Sequence, residues 1–218
     1  MTGRRGGPRD RFGMVFLLLA ASFLLAAFLS GTAGRTVSWV LYVLALLIVL
    51  RPAILPGPRW RWPSRILLVG GLAATVAAVA THDRIIRGIA SLWLAALLAF
   101  AIATVVWRVL VRQKVVTLET IFGALAAYLM IGFTFAALLG AVAQFQHGAL
   151  FAQGQPSNPS TIQYFAFVTM TTTGYGDVVA AGEPARTLAV ADALTGQIFL
   201  VTLVARLVSI FGTTRSGS

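Results

Sequence analysis

The chain has 218 residues, 58% of them hydrophobic and 11% charged, with a net charge of +11 and no cysteine. That balance excludes an ordinary soluble domain, and the lack of cysteine excludes disulfides and thiolate metal sites. A basic chain can serve nucleic acid, but here the arginines cluster between apolar runs, which points to a membrane protein with basic loops on one side.

Residues 1–11 form a polar tail with Arg4, Arg5, Arg9 and Arg11. The apolar run Phe12 to Leu29 is longer than the roughly 7–15 residues of a signal-peptide core, so it is expected to remain as the first span. The second run, Val37 to Leu50, is short for a hydrocarbon core of about 30 Å and needs Arg35 and Arg51 to snorkel at its ends. Residues 51–65 hold four prolines, which are expected to prevent a continuous helix. Trp60 and Trp62 beside arginines suit the membrane interface. The third span, Ile66 to Thr81, is rich in Gly and Ala and is expected to be the most tightly packed peripheral helix. A loop with His82, Asp83, Arg84 and Arg87 leads to the fourth span, Gly88 to Trp107. The fifth runs from near Glu119 to about Phe145 and the last from Ala185 to Phe211.

With the tail inside, cytoplasmic segments hold twelve basic residues, against four (Arg35, Arg84, Arg87, Arg186) in external loops. The positive-inside rule then places both termini in the cytoplasm. The fourth span carries no charge between Gly88 and Trp107. One elementary charge moved through 100 mV yields only about 2.3 kcal/mol, so steep voltage gating needs several and is not expected here. The short link between the fourth and fifth spans favours a peripheral bundle packed on its own chain. His82 and His147 read as solvated loop residues. No phosphate loop or metal-ligand cluster points to an enzyme.

Asn158-Pro159-Ser160 is a good helix start. Residues 160–171 then make a helix of roughly 18 Å, too short to cross, which would enter from outside and aim its partly negative C-terminal end inward. Tyr164, Phe165 and Phe167 on it suit either a brace or ordinary packing. The residues Thr169-Met-Thr-Thr-Thr-Gly-Tyr-Gly-Asp177 follow. Glycine permits an irregular backbone with its carbonyls turned one way, and in a membrane such backbone survives only where it lines a cavity or is buried in protein.

With a span on each side, this stretch resembles the signature of bacterial-type tetrameric potassium channels of the voltage-gated-like superfamily. The likeness covers 117–211, less than half of the chain, and Thr173 stands where valine is commoner. It implies an all-α integral membrane protein of six transmembrane helices, with a re-entrant pore helix and filter loop between the last two. It also implies a homotetramer in which four such loops replace the water shell of potassium. By this resemblance Thr172, Thr173, Gly174, Tyr175 and Gly176 form the filter, with potassium at the first four and the Thr172 hydroxyl innermost. Asp177 stands at the outer mouth. The chain divides into a tail (1–11), a four-helix peripheral bundle (12–114), a pore domain (115–212) and a second tail (213–218). Tyr175 favours potassium over sodium.

Helical phase places Gln197, Leu200, Val201, Val204 and Val208 on the face assigned to the inner cavity, with Phe211 near its exit. Gly196 is read either as a gating hinge, as in the family, or as a close contact with the short helix. Arg206 should point out of the conduction path, toward Glu119. Asp192 should hydrogen-bond behind the filter. No cofactor is expected beyond potassium ions, and no nucleic acid or small-molecule ligand. Lipids are the expected surroundings, in the plasma membrane of a bacterial cell. A weakly selective cation channel, or a non-conducting pore-like scaffold or partner subunit, are the competing readings.

Overall fold

A computed structural model describes residues 12–28, 44–49, 61–81, 83–108 and 117–213. Expectations for the basic tail, for residues 37–43 and 50 of the second run, for the proline loop up to Trp60, for His82, for 109–116 and for the segment after 213 lie outside the described residues. So do the side chains of Val208 and Phe211. Every described element is helical: α1 (Phe12–Phe28), α2 (44–49), α3 (Arg61–Thr81), α4 (Arg84–Trp107), α5 (Leu118–Phe145), α6 (Pro159–Met170) and α7 (Glu183–Thr213). The one β feature among the described residues is an isolated bridge between Phe151 and Ala180.

Local chemistry sets the helix starts, and two of them correct the loops expected above. Helix α3 begins at Arg61 and carries Pro63 in its first turn. A proline is tolerated there because the first turn has no intrahelical acceptor for its missing N–H. Helix α4 begins at Arg84, so Arg84 and Arg87 are helical. The Asp83 carboxylate accepts from the Ile85 and Ile86 amides at 2.7 and 3.1 Å and caps this start. At α5, Thr117 and Thr120 exchange side-chain-to-backbone bonds in a capping box. At α6, Asn158 accepts from the Thr161 amide at 2.9 Å, with Pro159 opening the helix.

Helices α4, α5 and α7 contain stretches long and apolar enough to cross a membrane, and α1 and part of α3 are shorter apolar helices. Glu119 Oε2 accepts the Phe12 and Gly13 amides at 3.0 and 3.3 Å. Phe16 meets Phe122, so α1 runs parallel to α5. Helix α4 runs antiparallel to α5, its Gly88 lying under the Phe145 ring at the far end. Phe12, Val15 and Leu19 of α1, with residues of α2, α4 and α5, form one buried apolar cluster. Helices α1 and α4 thus pack on the fifth helix of their own chain, and α3 packs on α4.

Helix α3 is not the tightest of them. Gly70 and Gly71 seat the Trp93 indole, whose Nε1 donates to Leu67 O at 2.9 Å. Its Val69, Leu72 and Val76 are exposed. Among the described side chains the glycine pair makes the groove for Trp93, whereas Ala73 of the same run is exposed. A second cluster joins Leu139 near the C-terminal end of α5, Leu150, Phe151, Phe165 of α6 and Ala185 of α7. It fixes the frame in which the loop after α6 sits.

Candidate functional site

Phe165 stacks edge-on against Phe151 at 5.4 Å. Phe167 lies against Phe133 and Phe23, with its ring where a side chain at Gly132 would stand. These two aromatics of α6 are core residues. Tyr164 points elsewhere. Its hydroxyl donates to Asp177 Oδ2 at 2.8 Å, and this bond above all raises the phenol above its ordinary value.

Beyond Met170 the chain leaves the helix through Thr171. Positive φ then alternates along it: Thr172 (55°), Gly174 (54°) and Gly176 (80°) are left-handed, whereas Thr173 and Tyr175 are not. A left-handed non-glycine residue costs about 1–2 kcal/mol, which marks Thr172 as a held position. The Thr173 and Gly174 amides donate back to Val168 O at 2.9 and 3.3 Å. In a trans peptide the carbonyl points opposite to the following N–H. The Thr172 and Thr173 carbonyls are therefore turned away from the end of α6. Residues Thr171 to Asp177 are all exposed, Tyr175 at 71%. One side of this loop is bonded to protein and the other is open.

The hydroxyls behave differently from the backbone. Thr172 Oγ1 donates to Thr171 O at 2.7 Å, and Thr171 Oγ1 lies 2.8 Å from Thr173 Oγ1 while also donating to Phe167 O. Thr173 thus makes a hydroxyl contact that valine could not. The C-terminal end of the loop is held by two residues that sequence reasoning missed. Gln153 donates to Gly176 O at 2.9 Å and Gln155 to Asp177 O. The backbone bonds Ala152 N to Val179 O and Ala181 N to Leu150 O close the frame around them. Alternating sequence patterns cannot reveal such contacts, because the glutamines sit in a polar loop 22 or 23 residues from their partners.

On α7, Gly196 is buried, and a Cβ there would stand 2.6 Å from both Met170 O and Met170 Cγ. That contact with the end of α6 accounts for the glycine. Gln197 is half-buried, and Leu200, Val201 and Val204 are exposed along one side of the helix. Val190, Leu194 and Ile198 extend the exposed apolar arc. Arg206 turns to the opposite side and lines a cavity of about 640 Å³ between α4, α5 and α7, together with Thr120, Thr134 and Thr202. Glu119, expected opposite Arg206, gives one oxygen to the start of α1.

Asp192 is wholly buried, but the expected hydrogen bond is not made: neither carboxylate oxygen has a partner. No donor of the described residues comes within hydrogen-bond distance of it. Among the described residues no cluster of His, Cys, Asp and Glu could hold a metal ion.

Residues 115–212 match the family model described as Ion channel. The match spans less than half of the chain and contains α5, α6, the loop and nearly all of α7. It supports ion-channel function for this region and, with the long apolar helices, a membrane location. No curated protein and no solved structure matches the chain.

Proposed function

We propose that the chain is one subunit of a potassium-selective channel whose pore is formed by four copies of residues 115–212 around a common axis. The observation that carries this reading is the alternation of left-handed backbone at Thr172, Gly174 and Gly176 in a loop tied to α6 on one side only. The free side then carries the Thr172, Thr173, Gly174 and Tyr175 carbonyls as the oxygen cage that replaces the hydration shell of potassium. Helix α6 enters from outside without crossing, and the negative end of its dipole lies toward the ion. Asp177 concentrates cations at the mouth. Six spans, with both termini in the cytoplasm of a bacterial cell, complete the arrangement, and the charge-free run Gly88 to Trp107 makes steep voltage dependence absent.

The open loop and the bare apolar arc of α7 support a homotetramer, because a single protomer leaves both uncovered. Leu200 and Val204 face the inner cavity in this arrangement, and Gly196 holds α7 against α6.

Purified protein in liposomes should pass potassium and be blocked by barium, with reversal potentials that favour potassium over sodium. Gly174→Ala or a Tyr175 substitution should abolish selectivity or flux. Unchanged potassium selectivity in both would refute the filter assignment.

A further inference from the structure

The glutamines outside the loop form a linked pair. Gln155 Nε2 donates to Gln153 Oε1 at 2.9 Å and to Asp177 O, and Gln153 Nε2 donates to Gly176 O at 2.9 Å. Both backbone partners are carbonyls, which only accept, so each side-chain amide must face them with its nitrogen. Gln155 Oε1 is buried without a partner, so this residue holds the loop through its nitrogen alone. The base of the pair is fixed, since residues 150–152 are bonded to 179–181 on the far side of the loop. Tyr164 grips the Asp177 carboxylate but leaves the last two peptide planes free to rotate. The glutamines hold those planes.

We propose that Gln153 and Gln155 are positioning residues for ion selection: they clamp the Gly176 and Asp177 peptide planes and thereby fix the outermost end of the ion path. The inference rests on the filter reading above. Discrimination between ions needs oxygens that do not collapse onto the smaller one, and a clamped peptide resists that collapse. A bound potassium ion holds the loop from the axis while the glutamines hold it from outside. The two are linked, so high potassium occupancy substitutes for a missing clamp by mass action.

The test uses the full chain reconstituted in liposomes, with bi-ionic reversal potentials read at low and at high external potassium. Gln153→Met and Gln155→Met keep length and remove the donor. At low potassium each is expected to lower the potassium-over-sodium permeability ratio about tenfold, the effect of one lost hydrogen bond of about 1.4 kcal/mol. High potassium should restore the ratio toward wild type. A general folding defect reduces the number of channels and leaves the reversal potential where it was.

Should the methionine variants fail to reconstitute, Gln153→Asn carries the same test, because it keeps the amide but is one methylene too short to reach. A ratio that stays at the wild-type value at low potassium in these variants overturns the clamp alone. Wild-type protein that passes no potassium overturns the channel reading and the clamp together.

Discussion

Helices α5 and α7 flank the same loop, yet they are clothed very differently. Of the most apolar 18-residue window, 50% is buried in α5 and 11% in α7. Helix α5 is wrapped by α1, α4, α6 and α7, whereas among the described residues α7 packs chiefly on α5 and α6. Their acids follow suit. Glu119 on α5 is satisfied by two amides, and Asp192 on α7 is buried with none. The difference teaches that α5 is the post of the protomer and that α7 is the element whose surroundings come from elsewhere, be they further copies, lipid or the water of a pore.

The sharpest way to break that comparison is to charge the bare arc of α7 at two phases. Ile198→Asp and Val204→Asp lie about a third of a turn apart. An aspartate in an apolar contact at mid-membrane costs about 2.5–3.5 kcal/mol, so Ile198→Asp is expected to abolish tetramers on size-exclusion chromatography. In the proposed pore Val204 faces the water-filled cavity, so Val204→Asp should assemble and still conduct. Equal loss in both would mean that the two positions share one apolar environment.

Gly196→Ala attacks the closest contact that α7 makes. The new methyl meets the backbone oxygen of Met170, which cannot move aside as a side-chain end would. An overpacking penalty of about 1–3 kcal/mol is expected, seen as a lower midpoint in thermal unfolding in detergent. If Gly196 acts only as a hinge, alanine should alter gating and leave that midpoint unchanged.

The two acids give a smaller contrast. Glu119→Ala leaves the first α1 amides without their acceptor and should lower stability by about 0.5–1.5 kcal/mol. Asp192→Asn removes an ionisable group that has no partner and is expected to leave stability unchanged or raise it, measured by the same unfolding assay.

The smallest effect concerns pH. The bond to Asp177 raises the Tyr164 phenol above 10.0, the ordinary value of a tyrosine, which stands for the unfolded chain here. A raised value means that the folded protein holds this proton more tightly, so the contribution is fully present below pH 10 and is lost as pH rises through the folded value. Wild type and Tyr164→Phe should therefore differ in thermal midpoint at neutral pH and converge in strongly alkaline solution.

Much of the structure from Thr117 onward was legible because its signals are local. The caps at Thr117 and Asn158, the length of α6 and the glycine spacing after Thr172 can each be read within a few residues. The bounds of α3 and α4 were misjudged for a related reason. Proline and arginine were weighed as helix breakers or loop residues, although Pro63 occupies a first turn and Asp83 supplies the cap that carries Arg84 into the helix. What the sequence could not disclose lies in contacts between distant segments. The glutamine clamp, the lone Asp192 and the hold of Glu119 on α1 depend on which chains of packing bring remote residues together, and no period in the sequence encodes that.

That last contact also orders events during synthesis. Phe12 leaves the ribosome 107 residues ahead of Glu119. At roughly 5–20 residues per second, the interval is on the order of 5–20 s. Through that time α1 must persist without its eventual neighbour, and its uncharged apolar run from Phe12 to Phe28 suits it to apolar surroundings in the meantime. The nascent helix waits, and the arrival of α5 brings the two ends of this contact together.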